Sequence, residues 1–193
     1  MCSSDLVGEN GAFYFRYDHG ARRMICRFAD DEAMREQYPA QLNLIAKDIL
    51  AAVPGCAVAA DQQYRETDLA IDFCEDVPPL PRDAVEKIAA LMRARGMTAK
   101  ISSIHVNGWF GDYNKLEMTR TLMREAFNID LDARRGDYVF IGDSPNDEPT
   151  FEFFVHAVGV ANVADFGALI TRFSSYTTRA PRCRLRGAGE HPN

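Results

Sequence analysis

Hydrophobic residues recur along this chain with two different periods. In residues 67–73, Leu69, Ile71 and Phe73 alternate with Asp68, Ala70 and Asp72, the two-residue period of a strand with one buried face and one facing water. Residues 38–53 instead space Tyr38, Leu42, Ile45, Ile49 and Val53 at helical intervals. Asp30-Asp31 offers that helix an N-cap, Pro39 a kink and Pro54-Gly55 a stop. A second amphipathic helix spans 82–95, with Val85, Ile88, Ala89 and Met92 on one face and Gly96 at its end. Strand-like runs occupy 7–17, 22–28, 56–60, 98–102 and 104–109. Residues 21–106 therefore predict helix, two strands, helix, two strands: an α/β layer with an antiparallel sheet.

Past residue 107 the pattern changes. A helix over 115–127 places Leu116, Thr119, Leu122, Met123 and Ala126 on its buried face. A strand over 138–141, a short helix over 147–154, a strand over 157–160 and a helix over 165–173 follow. Strands alternating with helices are the signature of a parallel sheet.

Composition narrows the classes. At 193 residues, 47% hydrophobic and 26% charged, the chain suits a globular protein with a proper core. A net charge of −6 leaves no basic face for a nucleic acid, apart from an Arg-rich tail over 179–186. No apolar run approaches the roughly 18 residues of a membrane span, and no leader pattern is present. Five cysteines (Cys2, Cys26, Cys56, Cys74, Cys183) form no C-x-x-C pair, which fits a reducing cytoplasm. The oligomeric state stays open.

Chemistry concentrates at Tyr138-Val-Phe-Ile-Gly-Asp-Ser-Pro-Asn-Asp147. An apolar strand runs there into an acidic turn, and in open α/β sheets ligands bind at the carboxyl ends of strands. Asp143 and Asp147, with Asn146 between them, offer oxygens suited to Mg²⁺; alternatively, each Asp caps the next helix. Lys115 opens its helix, where a cation opposes the macrodipole. A phosphate or carboxylate partner would account for it; so would an ordinary solvated lysine.

These residues resemble the haloacid dehalogenase superfamily of phosphatases, in the branch with a large α/β cap (subfamily IIB). Sucrose-phosphate, trehalose-phosphate and mannosyl-phosphoglycerate phosphatases belong to that branch. Gly142-Asp143-Ser144-Pro145-Asn146-Asp147 is similar to the family's fourth motif, Lys115 in Asp112-Tyr113-Asn114-Lys115 to its third, and Glu9-Asn10-Gly11-Ala12 to the core strand leading into the cap. The resemblance covers residues 7–178. It implies a Rossmann-like parallel core carrying an inserted α/β cap, with core remnant 1–20, cap 21–106, second core segment 107–178 and a tail 179–193.

The resemblance also implies roles. Asp143 and Asp147 would hold Mg²⁺, Asn146 would support them, and Lys115 would stabilise the nucleophile and the transferring phosphoryl group. The cap would choose a small phosphorylated substrate such as a sugar phosphate, through Asn10, Tyr64, Arg65, Glu66, His105, Asn107 and Trp109. One departure is large. The family's nucleophile motif, Asp-x-Asp-Gly-Thr, is absent, and only eight residues precede Glu9. The expectation is thus an amino-terminally truncated phosphatase, inactive as it stands. The alternatives are a phospho-ligand binding or regulatory module without turnover and, against the lack of a membrane span, a P-type ATPase fragment.

Overall fold

The computed structural model describes residues 5–143, 147–160 and 176–177. The chain divides into two compact units, residues 1–134 and 135–193.

The first unit opens with β1 (Leu6–Gly8), a single 3-10 turn (Glu9–Gly11), β2 (Phe13–Asp18) and β3 (Arg23–Phe28). The three strands form an antiparallel sheet in the order β1-β2-β3. The turn interrupts the run expected over 7–17 because Glu9, Asn10 and Gly11 all adopt positive φ, at 44°, 57° and 102°. The helix expected from Asp30-Asp31 to residue 53 is two helices, α1 (Glu32–Arg35) and α2 (Tyr38–Ala52). Asp31 caps α1 by accepting the Met34 N–H. Pro39 does not kink a continuous helix; it sits in the first turn of α2, where its missing N–H has no intrahelical partner to lose.

A four-stranded sheet follows: β4 (Ala57–Val58), β5 (Asp68–Asp72), β6 (Thr98–Ile101) and β7 (His105–Trp109), with α3 (Arg82–Ala94) between β5 and β6. Its order is β4-β5-β7-β6, and every pairing is antiparallel, as the periodicity predicts. One face carries Leu69, Ile71 and Val106 against Ile49, Ile88, Ala89 and Met92 of α2 and α3, all fully or almost fully buried. Each such aliphatic side chain contributes about 2 kcal/mol by leaving water. Gly108 lets α3 approach closely, since a Cβ there would lie 2.6 Å from the Met92 sulfur.

The other face corrects the sequence reading of β5. Asp68 and Asp72 were expected to face water, yet they are 0% and 1% exposed. Asp72 accepts the N–H groups of Cys74, Glu75 and Asp76 at 2.8–2.9 Å. Burial pushes its carboxyl pKa up, but these donors outweigh burial and hold it below the ordinary range. The outer edge of β5 is completed by a side chain, because β4 ends at Val58. Gln62 donates from Nε2 to the Asp68 carbonyl and accepts the Ala70 N–H on Oε1, each at 2.8 Å.

The unit ends with α4 (Lys115–Phe127), capped by Asn114, whose side chain accepts the Glu117 N–H. Left-handed Asn128 closes the helix. Its buried residues are Leu116, Met118 and Leu122, and the last two pack on Tyr14 of β2. Thr119, Met123 and Ala126 are only half-buried.

The second unit is a parallel sheet, β10 (Tyr176–Thr177), β9 (His156–Gly159) and β8 (Val139–Gly142) in that order, with α5 (Glu148–Phe153) between β8 and β9. Phe140 meets Phe151 edge-on at 5.1 Å and stacks on Phe154 at 5.9 Å. The helix expected over 165–173, like Asn146, lies outside the described residues. Mixed helix and strand throughout, antiparallel in one sheet and parallel in another, makes this an α/β protein. No described helix is long and apolar enough to cross a membrane.

Candidate functional site

Three sets of polar residues emerge, one in the second unit and two in the first. In the second unit, β8 ends at Gly142, where a Cβ would collide with Phe140 and Phe151, within 2.9 Å. Asp143 follows at the strand's carboxyl end. Asp147 is buried and its carboxylate Oδ2 accepts the Asp143 N–H at 3.2 Å. It is the N-cap residue of α5 by position, with no side-chain cap bond to that helix. The Asp147 carboxylate thus meets the backbone of Asp143 at the carboxyl end of a parallel strand.

Hard carboxylate oxygens at this place fit Mg²⁺ as part of a shell, the remaining ligands coming from water or substrate oxygens. The described residues hold no cluster of three or more His, Cys, Asp or Glu side chains placed to bind a metal.

In the first unit, the face of the four-stranded sheet turned away from α2 and α3 gathers several predicted residues. On β7, His105, Asn107 and Trp109 point the same way and pair in register with Asp72, Ala70 and Asp68 of β5. All three are buried. His105 Nε2 lies 3.0 Å from Glu75 Oε2, an ion pair when the imidazole is protonated. Asn107 Oδ1 and Trp109 Nε1 are buried without a hydrogen-bond partner among the described residues. Buried polar atoms normally have partners, so this face has hydrogen-bonding capacity that a water or a ligand hydroxyl would satisfy. Trp109 also stacks on Tyr113, with ring centroids 6.0 Å apart. Tyr64 stands out in solvent, 79% exposed.

Arg65 is committed within the protein. Its guanidinium donates from Nε and Nη2 to Asp61 at 3.0 and 2.8 Å, and from Nη1 to both Asp68 oxygens at 3.0 and 3.1 Å. Asp68 also accepts from Asn10 Nδ2 at 3.1 Å. The Asp68 carboxyl is raised to about 6, burial and Glu9 pushing it up against the pull of Arg65 and Asn10. Sequence reading named Asn10 and Arg65 but missed Asp68, the carboxylate joining them. Its signal was an acidic residue in strand alternation, which normally marks the wet face.

The third set is the turn at Glu9–Gly11. The Glu9 carboxylate accepts three bonds: from the Glu66 N–H at 2.8 Å, the Thr67 N–H at 2.6 Å and the Thr67 hydroxyl at 2.5 Å. The Glu66 side chain turns instead to Arg35, 3.5 Å away. Gly11 packs against the start of α4 so tightly that a Cβ would lie 2.2 Å from the Asn114 carbonyl oxygen and 2.7 Å from the Lys115 nitrogen. Lys115, half-buried, is the first residue of that helix. A cleft of about 190 Å³ is lined by Gly11, Arg27, Phe28, Tyr113, Glu117 and Met118 among others, with Lys115 not part of its lining.

No family model and no curated protein matches the chain by sequence. Solved structures do match by fold. A Thermoplasma acidophilum protein, 0175, superposes with a TM-score of 0.59 at 18% identity, covering 93% of this chain and 67% of its own. The sucrose-phosphatase of Synechocystis, solved with sucrose and phosphate, gives 0.56 at 14% identity, covering 89% and 66%. The haloacid dehalogenase subclass IIB sugar phosphatase BT4131 gives 0.54 at 13% identity, covering 92% and 70%. The chain therefore spans about two thirds of the length of the proteins it matches. About nine-tenths of it superposes on these structures, so the chain has the haloacid dehalogenase fold.

Proposed function

We propose that this chain is the greater part of a Mg²⁺-dependent phosphatase acting on a sugar phosphate or a similar small phosphorylated metabolite. The observation that carries this reading is the likeness in fold over some nine-tenths of the chain to sugar-phosphate phosphatases, one solved with sugar and phosphate. Asp143 and Asp147 would hold Mg²⁺, which when bound neutralises charge on a phosphoryl group. Lys115 donates charge-assisted hydrogen bonds to the phosphoryl oxygens. His105, Asn107 and Trp109 line the face that receives sugar hydroxyls; Arg65, Glu66 and Asn10 lie at its margin, where Arg65 holds Asp68. The nucleophile of such a reaction is an aspartate that forms an aspartyl-phosphate, and no Asp-x-Asp-Gly-Thr occurs in these 193 residues. On this reading the aspartate would have to come from sequence outside these residues.

The absent motif also favours a second reading, a phospho-ligand binding or regulatory module that turns nothing over. One experiment separates them. The genomic sequence upstream of the Val7 codon is read, and the open reading frame in which it lies is expressed and assayed for phosphate release from sugar phosphates with and without Mg²⁺. The phosphatase reading expects an in-frame Asp-x-Asp-Gly-Thr and Mg²⁺-dependent release that falls at least 100-fold in Asp143→Ala or Lys115→Ala. An open reading frame without the motif, or an extended protein that binds phosphate but releases none, overturns it for the binding module.

A further inference from the structure

Three consecutive residues with positive φ are costly for any but glycine, and Glu9 and Asn10 are not glycine. Their side chains hold the conformation. Glu9 grips residues 66 and 67, and Asn10 grips Asp68, nearly sixty residues away in sequence. The same conformation sets Gly11 against the backbone of Asn114 and Lys115. The turn is thus in tight contact on one side with the entry to β5 and on the other with the amino end of α4. Neither contact leaves room for the turn to shift independently.

We propose that the Glu9-Asn10-Gly11 turn is a positioning device that couples Asp68 to Lys115, so that a change at the buried carboxylate is transmitted to the start of α4. The coupling rests on geometry within the first unit; its relevance to phosphoryl transfer rests on the role proposed above for Lys115. Glu9, Asn10 and Gly11 would touch no substrate and act only through Lys115.

The ionisation of Asp68 sets the direction. Glu9 and Asn10 face it from the turn, Arg65 from the segment before β5 and Tyr113 from the segment before α4; Asp61 and, through it, His105 bear on Arg65. A buried carboxyl with a raised pKa takes up its proton more readily when the turn is closed than when it is open. Closure is therefore favoured in acid and opening in base. The turn's own contribution has this sign, because the Glu9 charge raises the Asp68 carboxyl more than the Asn10 hydrogen bond lowers it, so opening grows as pH rises from 5 to 8.

Amide hydrogen exchange reads both ends without any activity assay. The Glu66 and Thr67 N–H groups are held by Glu9, and the Glu117 and Met118 N–H groups by Asn114. The whole chain is measured at several pH values, with rates corrected for intrinsic exchange. In Asp68→Asn, which keeps the shape and removes the charge, both pairs should gain protection at pH 8 and lose their pH dependence together. In Glu9→Ala both pairs should lose protection while the β5–β7 ladder keeps it. The proposal is overturned if residues 66 and 67 respond while 117 and 118 do not, or if Asp68→Asn changes neither pair. Should Glu9→Ala fail to fold, Asp68→Asn alone decides. A failed phosphatase assay with coupled exchange would remove the function and leave the coupling.

Discussion

Arg65→Met tests whether that guanidinium serves the protein or a ligand. The side chain is 17% exposed and the Asp68 carboxylate is fully buried. Removing one partner of a buried ion pair strands the other, at a cost of about 3–5 kcal/mol. Asn10 still donates to Asp68, so the expected loss at pH 8 is the lower figure, about 3 kcal/mol. Losing the Asp61 pair adds little, because Asp61 is half exposed. The pH dependence follows from the sign of the Asp68 shift. Its folded-state pKa is already raised to about 6, and losing Arg65 raises it further. A raised carboxyl pKa contributes stability below the unfolded value and loses that contribution as pH rises through the folded one. The variant should thus be nearest to wild type at about pH 5, where it loses hydrogen bonds from the guanidinium to a largely protonated carboxyl, worth roughly 1.5 kcal/mol, and fall away toward pH 8. Urea unfolding followed by fluorescence suits the question, because the single tryptophan, Trp109, sits opposite Asp68 in the sheet. The double variant Arg65→Met/Asp68→Asn should recover most of the loss. Equal losses at the two pH values, or no recovery in the double variant, would refute the reasoning and return Arg65 to the candidates for direct ligand contact.

Three further outcomes are expected. Asp72→Ala should cost about 2–4 kcal/mol, since it removes three hydrogen bonds to a charged acceptor while exposed Glu75 and Asp76 can rehydrate. Because the Asp72 carboxyl is held low, wild type should lose this stabilisation as pH falls below the ordinary carboxylate value, and acid denaturation curves of the two proteins should converge there. Gly11→Ala should destabilise by more than about 2 kcal/mol, combining a strained positive φ with a clash against backbone. Its amide spectrum should move at Asn114 and Lys115, and an unchanged spectrum would count against the close packing. Ile88→Ala, at the centre of the first unit's core, should cost about 2–5 kcal/mol in chemical unfolding.

Element positions were largely legible because hydrophobic spacing reports them directly. Residues 115–127 formed the expected helix to the residue, and both the antiparallel and the parallel sheet appeared where the two patterns lay. Boundaries failed where one residue carried two meanings. Pro39 reads equally as a kink or as a helix start, and only tertiary context chose the second. The acidic positions of β5 failed for a different reason. Alternation assigns Asp68 and Asp72 to water, whereas their partners are a guanidinium, an amide and three backbone N–H groups that no local pattern reveals. At the candidate site, the motif placed Asp143 and Asp147 at the end of a strand, where the Asp147 carboxylate accepts the Asp143 N–H. The carboxylate grip of Glu9 on residues 66 and 67 was not, since it joins segments 57 and 58 residues apart.

Gln62 closes the open length of β5 with its own carboxamide, whose two polar atoms reproduce the donor and acceptor of a neighbouring strand. An uncovered strand edge is a template for other chains. This one side chain therefore bears on solubility: Gln62→Ala would leave the fold's core untouched yet expose a carbonyl and an N–H spaced to receive a foreign strand. Self-association rising with concentration, ahead of any loss of folded protein, would be its signature.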